Sequence, residues 1–296
     1  NKDEIDFAYL NRPHIATKYV DFIRKNTNIK VIYYGHDLHF LREYREYELT
    51  GDIQKKRDSD YWKSIEFALM EKAAVAYYPS YVEENAIHAI RPELNVKAIT
   101  AYVYEKFLEN IDMDFAKREG LLFVGGFAHP PNADAVLWFA KEIYPLIRAK
   151  KEIPFYVVGS KEIKALEQPG NGIIVKGFVT EEELQTLYAG CRLVVVPLRY
   201  GAGVKGKVVE AVYNGSVIVT TSIGAEGIPE AERVMKVADE PEAFAAEVTA
   251  LYDDPAECRR LCEETQKYIR DYFSVDAAWK VIEEDFRPKA PDGGDD

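Results

Sequence analysis

The segment best suited to chemistry is the glycine- and lysine-rich stretch at 197–211, PLRYGAGVKGKVVEA. Its glycines let the backbone approach a ligand closely, and the amides that open a following helix point towards an anion. Lys205 and Lys207 add positive charge, so the stretch suits a diphosphate. Glu210 only accepts hydrogen bonds, which suits ribose hydroxyls. The alternative is a glycine-rich turn with solvated lysines. The glycines concerned are Gly201, Gly203 and Gly206.

Further candidate ligand-binding residues follow other apolar runs in the same half of the chain. After the first run come Gly125, Gly126, His129 and Asn132, and after the next two come Gly159, Gly177, Phe178 and Val179. His129 suits donation to a phosphate or a sugar hydroxyl, or else it belongs to a fixed turn beside two prolines. In one interpretation, a nucleotide base stacks on Phe178 or forms hydrogen bonds with the backbone beside it. In the other, which we prefer, Phe178 is a core residue.

The elements that position these residues are short apolar runs alternating with helical spacing, which is typical of a parallel sheet. Because ligands of open α/β sheets bind at the carboxyl edge of the strands, these loops are expected to face one crevice. We therefore predict a doubly wound α/β domain at 116–273. The predicted strands are Leu121–Val124, Phe155–Val158, Ile173–Val175, Leu193–Val196, Ser216–Thr220 and Arg233–Val237.

The first 115 residues show a similar but shorter pattern. We interpret them as the back half of a Rossmann-like domain whose front half lies outside these 296 residues, or alternatively as a small cap domain. Residues 103–119 are the predicted domain connection, and residues 288–296 are a predicted flexible tail. The predicted strands are Ile5–Leu10, Val31–Tyr34, Ala73–Tyr78 and Val96–Thr100.

Composition excludes several classes of protein. The chain has 38 Lys and Arg against 50 Asp and Glu, a net charge of −12, which argues against a general nucleic-acid binder. No apolar stretch reaches the ~18 residues of a bilayer span, and residues 1–20 lack the order of a signal peptide, so we predict a cytoplasmic protein. The cysteines have no zinc-site spacing and are predicted to be buried or idle rather than redox-active. They are Cys191, Cys258 and Cys262.

The motifs taken together resemble a known family. The order GGFAHPPN, FYVVGS, IIVKGFV, VVVPLRYGAGVKGKVVEA and SVIVTTSIGAEGI resembles the carboxyl-terminal donor domain of group-1 (family-4) retaining glycosyltransferases, over residues 119–285. The resemblance implies a GT-B fold, in which two Rossmann-like domains face each other across a cleft. The first domain is truncated in this interpretation. Residues 274–287 resemble the helix that returns to the first domain.

The resemblance also assigns roles in the donor loop. Glu210 matches the second Glu of the family's E-x7-E motif and resembles a ribose ligand, whereas the first Glu is replaced by Ala202. The loop resembles a GAG-x-K-x-K branch of the family, which implies donor contacts from Gly203, Val204 and Lys205. Neutralisation of the diphosphate is then assigned to Lys205, Lys207 and Arg199.

In the first domain, the stretch VIYYGHDLHFLREYR at 31–45 is also similar to the family, which places a His near the reacting sugar. The resemblance implies that His36 is catalytic and that Asp37 fixes its orientation. The alternative is that His36, Asp37 and His39 cap the following helix.

The implied function is retaining transfer of a sugar from a nucleoside-diphosphate sugar to a hydroxyl acceptor. The resemblance implies no cofactor other than the donor substrate and no metal. The implied acceptor is a glycan or a lipid-linked glycan in polysaccharide biosynthesis, with peripheral membrane contact allowed and no nucleic-acid partner. One alternative is a non-catalytic scaffold that binds a nucleotide or glycan. Another is an isomerase similar to nucleotide-sugar 2-epimerases.

Overall fold

A computed structural model describes residues 4–160, 164–166, 170–201 and 203–287. The chain divides into two compact units. The first unit comprises Asn1–Val103, Ala202–Val204 and Ser274–Asp296, and the second comprises Tyr104–Gly201 and Lys205–Phe273.

The first unit contains a four-stranded parallel sheet whose strands lie in the order β1-β2-β3-β4. The strands pair in register, with Tyr9 opposite Ile32 and Ile32 opposite Val75. All four strands predicted for this part are confirmed. They are β1 (Phe7–Asn11), β2 (Lys30–Tyr34), β3 (Val75–Tyr78) and β4 (Val96–Ala98), connected by α1 (Pro13–Asn26), α2 (His39–Thr50), α3 (Ile53–Lys72) and α4 (Tyr81–His88).

A late segment of the chain covers one face of this sheet. It contains a helix that we number α12 (Val275–Ile282) and continues to Phe286. Its apolar residues pack on side chains of β2 and β3, among them Ile32 and Tyr77. Asp285 anchors the segment, because its carboxylate accepts hydrogen bonds from the Tyr77 hydroxyl at 2.5 Å and from the Lys97 ammonium at 2.7 Å.

Replacing Asp285 with Asn should lower the free energy of unfolding by about 1–3 kcal/mol, because hydrogen bonds to a charged acceptor are lost. Burial raises the pKa of Asp285, but its bonds to Lys97 and Tyr77 outweigh burial and hold the pKa below the ordinary 3.8. A depressed carboxyl pKa stabilises the fold above pH 3.8, and this contribution is lost as the pH falls further. Denaturant unfolding across pH measures the effect. Asp276→Asn, on the exposed side of α12, is the control, and an equal loss there would contradict the assignment.

The second unit contains a six-stranded parallel sheet in the order β10-β9-β8-β5-β6-β7. The chain order therefore reverses between β5 and β8, which pair directly, with Leu121 opposite Leu193. All six predicted strands are confirmed. They are β5 (Leu121–Val124), β6 (Phe155–Val158), β7 (Ile173–Gly177), β8 (Leu193–Val196), β9 (Val217–Thr220) and β10 (Met235–Val237).

Helices cover this sheet, and one of them is less regular than its sequence pattern predicts. Val136, Ile143 and Ile147 have the spacing of one helical face, but a π-helical turn at Phe139–Ile143 interrupts the helix. Pro145 follows this turn and cannot donate a backbone hydrogen bond, which disfavours a continuous α-helix. The helices are α5 (Pro130–Trp138), α6 (Tyr144–Arg148), α7 (Glu181–Gly190), α8 (Gly206–Tyr213), α9 (Ser222–Ala225), α10 (Pro241–Tyr252) and α11 (Pro255–Phe273).

The predicted connection at 103–119 packs mainly within the second unit. The division falls between Val103 and Tyr104, earlier than the predicted boundary at 115/116. The Tyr104 ring stacks on Tyr213 with centroids 4.2 Å apart, and its amide donates to the carbonyl of Phe273. The connector therefore belongs to the second unit because an aromatic stack and a backbone bond hold its start.

The three cysteines are buried free thiols. Burial raises the pKa of Cys191 to about 12 and the pKa values of Cys258 and Cys262 to about 11. A thiol that stays protonated is a poor nucleophile, which agrees with the predicted idle role. In the part of the chain that the structure describes, no helix combines the length and apolar character needed to cross a membrane. Cytoplasmic location stays a prediction.

Candidate functional site

The predicted ligand loops of the second unit follow the strands at which the sheet order reverses. Residues 125–129 follow β5, and residues 197–205 follow β8, its direct neighbour. Loops at such a reversal diverge to opposite faces of the sheet and leave a crevice between them. The two glycine-rich motifs singled out in the sequence therefore occupy the position at which α/β proteins commonly bind ligands.

Two glycines make this edge unusually close-packed. A Cβ added to Gly159, just after β6, would overlap the carbonyl oxygen of Gly125 and lie 2.8 Å from the Phe127 ring. A Cβ on Gly125 would lie 2.7 Å from the Lys207 ammonium nitrogen. These positions need glycine because the loop backbones and the lysine occupy the space. Among the described residues, a Cβ on Gly126 would meet only Ser160, at 3.6 Å, so the described contacts give no such packing reason for glycine there.

Lys207 lies inside this edge rather than in solvent. Its ammonium group donates to the Asn132 side-chain oxygen at 2.6 Å and lies 4.7 Å from the centroid of the Phe123 ring. The Asn132 amide in turn donates to the Gly126 carbonyl at 2.9 Å, so Asn132 joins the lysine to the β5 loop. Burial, with repulsion from Lys205, lowers the pKa of Lys207 to about 7. An anion placed here would restore the charged form.

Lys205 is the residue that precedes α8, whose first residue is Gly206. The amides of Gly206 and Lys207, which open the helix, and this cation together make a positive site. The Lys205 side chain folds back along its own loop, since a Cβ on Gly201 would lie 3.5 Å from its Cε atom. Its ammonium nitrogen is 3.9 Å from a carboxylate oxygen of Glu226, and both side chains are about nine-tenths buried.

Arg199 does not occupy the position expected of a diphosphate ligand. Its guanidinium forms a two-point ion pair with Asp134 on α5, with Nε 2.9 Å from Oδ2, and it lies over the Trp138 ring. A bidentate arginine–carboxylate pair fixes both side chains. The carboxylate of Asp134 therefore already neutralises Arg199, which leaves Lys205 and Lys207 of the three cations predicted to bind the diphosphate.

The predicted base-binding segment lies beyond β7. Gly177 has φ +68°, a left-handed backbone that glycine adopts without strain. Phe178 is 85% exposed, so the preferred interpretation of Phe178 as a core residue is wrong. Val179 is half-buried, and His129 is exposed at the start of α5, where its side chain does not cap the helix. An exposed ring at the carboxyl edge of a sheet is free to stack on a planar ligand.

Glu210 lies on α8, one turn after Lys207. Its pKa is raised by burial first and then by the negative charge of Glu181 at the start of α7, while Tyr188 lowers it. Burial and the neighbouring carboxylate thus both disfavour the charged form of Glu210. This environment suits a carboxylate that accepts hydrogen bonds from hydroxyl groups.

In the first unit, His36 follows β2 with φ +69°, an uncommon conformation for a non-glycine residue. Its ring contacts the edge of Tyr34 at 4.7 Å between centroids. Among the described residues its buried Nε2 has no hydrogen-bond partner. Burial and then the charge of Arg12 lower the pKa of His36, so the ring is neutral at pH 7. Strained, unpartnered groups of this kind are frequent at functional sites.

Asp37 does not orient His36 through a hydrogen bond among the described contacts. Its carboxylate instead binds Arg42 at 2.5 Å and lies 3.6 Å from His39 Nδ1. The alternative in which His36, Asp37 and His39 cap α2 is also wrong. Glu66 of α3 accepts the first amides of α2, at His39 and Phe40.

Gly203 and Val204 group with the first unit. There, Gly203 has φ +78°, and a Cβ on it would lie 3.4 Å from the Asp37 Cβ atom and 3.6 Å from the His36 carbonyl oxygen. Within the first unit, Gly203 therefore lies beside His36 and Asp37. The catalytic roles of His36 and Asp37 stay predictions.

The sequence of the second unit carries the decisive comparison. Residues 118–254 match the sequence profile of the family described as Glycosyl transferases group 1. These residues contain all six strands of the sheet and both glycine-rich loops. The second unit therefore carries a group 1 glycosyltransferase domain.

One curated relative shares this glycosyltransferase domain region. An uncharacterized 44.6 kDa protein in the cps region of Klebsiella pneumoniae is 31% identical over 143 residues, which are 45% of this chain and 35% of that protein. The match thus spans about a third of the relative's length.

Solved structures match nearly the whole chain. Sucrose-phosphate synthase from Thermosynechococcus elongatus has a TM-score of 0.73 at 18% identity, covering 95% of this chain and 73% of that one. HepE of Anabaena in complex with UDP has a TM-score of 0.69 at 16% identity, covering 95% of this chain and 78% of that one. TarM has a TM-score of 0.73 at 14% identity, covering 95% of this chain and 55% of that one. These likenesses confirm the α/β fold class of the GT-B type.

Sequence reasoning missed two residues of the glycosyltransferase domain and did not foresee the contacts of a third. Asn132 was predicted to bind the ligand, but its side-chain oxygen accepts a hydrogen bond from Lys207 and its side-chain nitrogen donates one to the Gly126 carbonyl. Asp134 and Glu226 were given no role. Glu226 lies in the quoted motif SIGAEGI after β9, and that position was the only signal. In the part of the chain described, no three His, Cys, Asp or Glu side chains group as a metal site, and the absence of a metal stays a prediction.

Proposed function

We propose that this glycosyltransferase domain binds a nucleoside-diphosphate sugar and that the protein transfers the sugar to a hydroxyl acceptor with retention and without a metal. The main support is the position of Lys205 and Lys207, two largely shielded cations at the start of α8 beside the sheet reversal. Such an arrangement suits a diphosphate better than any uncharged ligand.

The same groups account for the chemistry of the proposed step. Departure of the diphosphate leaves negative charge on its oxygens while the sugar becomes cationic. Lysines and helix-end amides that are already oriented stabilise that charge without reorganisation. Glu210 is proposed to bind the ribose, and Phe178 the base. His36 is retained as the proposed catalytic residue because its Nε2 is buried and lacks a described partner.

Substrate identities belong to the proposal as well. HepE was solved with UDP and with UDP-glucose, so UDP-sugars are the first donors to test. We propose a glycan or lipid-linked glycan as acceptor and polysaccharide biosynthesis as the setting, on the family resemblance alone.

Calorimetric titration with UDP, GDP, ADP and dTDP, each with and without magnesium, tests the proposal. We expect one diphosphate to bind, with an affinity that magnesium leaves unchanged. The absence of binding by all four would contradict the proposal and favour a scaffold. Conversion of a nucleotide sugar in the absence of any acceptor would instead favour an isomerase.

Replacing Phe178 with Ala should weaken binding of that nucleotide at least about fivefold, since stacking of a base on an aromatic ring contributes ~1–3 kcal/mol. The free energy of unfolding should change by less than about 0.5 kcal/mol, because the ring is exposed. Calorimetry and denaturant unfolding measure the two effects. Tyr61→Ala, which removes another exposed ring, is the control. An unchanged nucleotide affinity in the Phe178 variant would remove Phe178 from the site.

A further inference from the structure

A pocket of about 790 Å³ lies where the first two strands of the first unit begin. The residues before β1, the end of α1 and the turn into β2 form it, and we call it the basic pocket. Lys30 begins β2 and His36 follows its end, so the strand separates them by roughly 20 Å at ~3.3 Å per residue. A volume of this size holds a small organic molecule, and such a molecule would not contact His36.

Four cations line the basic pocket, although the chain as a whole has a net charge of −12. Two of them are in the last turn of α1, one begins β2, and one follows the segment that covers the sheet. Among the described residues that line the pocket, Asp6 is the only acidic one. The pocket therefore has an excess of positive charge. The four cations are Arg24, Lys25, Lys30 and Arg287.

The described contacts of these cations leave their charge largely uncompensated. Arg24 donates to the backbone carbonyl of Glu71 at 3.4 Å, and Lys30 donates to the backbone carbonyl of Asp285 at 2.7 Å. Both acceptors are neutral groups. Among the described residues, the other two cations form no ion pair. An anion that contacts several of these side chains would relieve their mutual repulsion.

The end of α1 does not oppose an anion here, although the carbonyl end of a helix carries partial negative charge. The Asn26 side-chain amide donates to the Phe22 carbonyl at 2.8 Å. The Thr27 hydroxyl and amide both donate to the Ile23 carbonyl, at 2.7 Å and 3.0 Å. These carbonyl oxygens are therefore bonded within the helix end, and the charged side chains determine the field in the pocket.

The chemistry of the ligand follows from these groups. Several cations favour a dianion, and guanidinium groups match the geometry of phosphate oxygens. A phosphate monoester carries nearly two negative charges at pH 7, whereas the phosphodiester of a membrane lipid carries one. The pocket also contains Asp6, which accepts hydrogen bonds, and Asn28, which donates and accepts them. Side chains of this kind bind hydroxyl groups.

We propose that the basic pocket binds a sugar phosphate, at a site separate from the proposed donor site. The phosphate contacts Lys25, Arg287 and their neighbouring cations, and the sugar hydroxyls contact Asp6 and Asn28. Because the pocket lies within the first unit, failure of the nucleotide titrations would leave this inference standing.

Calorimetric titration of the full chain with glucose 6-phosphate and glucose 1-phosphate tests the inference. We expect one of them to bind more tightly than inorganic phosphate, and glucose not to bind. The affinity should fall between pH ~7 and ~5, because the monoester loses its second charge near pH ~6. Lys25→Gln and Arg287→Gln should each weaken binding about fivefold, which corresponds to about 1 kcal/mol. The double variant should lose at least about tenfold.

Two further variants are controls. Lys18→Gln changes an exposed lysine of α1 that does not line the pocket, and it should leave the affinity unchanged. Lys207→Met, in the second unit, should also leave it unchanged. A loss in either control equal to that of Lys25→Gln would place the binding elsewhere.

Three other results would overturn the inference. Equal affinities for inorganic phosphate and both sugar phosphates would exclude sugar contacts. Binding to vesicles of equimolar phosphatidylcholine and phosphatidylglycerol, without binding of either sugar phosphate, would indicate a membrane surface instead. No binding of either sugar phosphate or of inorganic phosphate would exclude the site.

Discussion

Replacing Lys207 with Met should lower the affinity for the nucleoside diphosphate by about 30- to 150-fold at pH 7, because a shielded charge-assisted contact of ~2–3 kcal/mol is lost. The substitution leaves the fold intact, since Met fills a similar volume beside Phe123 and removes a buried charge. Calorimetry measures the affinity, and denaturant unfolding should show no loss of stability. Lys141→Met, at a largely exposed lysine, is the control.

The wild-type affinity should also depend on pH in a way that the Lys207 variant does not. The pKa of free Lys207 is about 7, and a bound diphosphate favours the charged lysine and raises that pKa. Binding therefore takes up a proton above pH 7, and the affinity falls by up to tenfold per pH unit until the pH reaches the pKa of the complex. Titrations above pH ~7.5 isolate the effect, since the phosphate itself, with a second pKa of ~6, is fully ionised there. Equal pH profiles for wild type and variant would remove Lys207 from the site.

Replacing Gly159 with Ala should lower the free energy of unfolding by about 2–4 kcal/mol, because a methyl group overpacks a backbone contact that cannot yield. The new carbon overlaps the Gly125 carbonyl oxygen and presses on the Phe127 ring. Since Gly125 also contacts Lys207, the surviving folded protein should bind the diphosphate at least about tenfold more weakly. Denaturant unfolding and calorimetry measure the two effects.

The neighbouring Gly126 provides a matched control for stability. Within the described part of the chain, a methyl group there meets only the Ser160 side chain, at an ordinary contact distance of 3.6 Å. Gly126→Ala should therefore change stability by less than about 0.5 kcal/mol. Equal destabilisation of the two variants would mean that the close approach of the β5 and β6 loops is unimportant. Calorimetry on the two variants would then show equal nucleotide affinities as well.

The strands could be predicted because buried parallel strands consist of continuous apolar residues. All four residues of β8 are buried valines and leucine, for example, and a run of this kind has no competing interpretation as an amphipathic helix. The start of α7 is also visible in the sequence, because the capping box formed by Thr180 and Glu183 depends only on two residues that are three positions apart. The position of the glycine loops followed from the same logic, since parallel strands end at a common edge.

The partners of the charged residues could not be predicted from local sequence. Arg199 binds Asp134, which is 65 residues away, and Lys207 binds Asn132, which is 75 residues away. Spacing along the chain contains no information on such pairs. The local sequence around a buried lysine such as Lys207 does not differ from that around a solvent-exposed lysine in a loop. The prediction that Phe178 is a core residue was wrong for a related reason. A single aromatic residue at the end of a strand has no periodic pattern from which its exposure can be judged.

Because a late segment of the chain covers the first sheet, the first unit is completed during synthesis only after the second unit has been made. Lys30 reaches the backbone of Asp285, 255 residues later, and the face formed by Ile32, Tyr34, Val75 and Tyr77 is covered by Val281, Ile282 and Phe286. The second unit, which ends at Phe273, is fully translated before this cover emerges from the ribosome. Nascent chains of the first unit therefore expose an apolar sheet face for as long as the second unit takes to be made, and chaperones bind such surfaces.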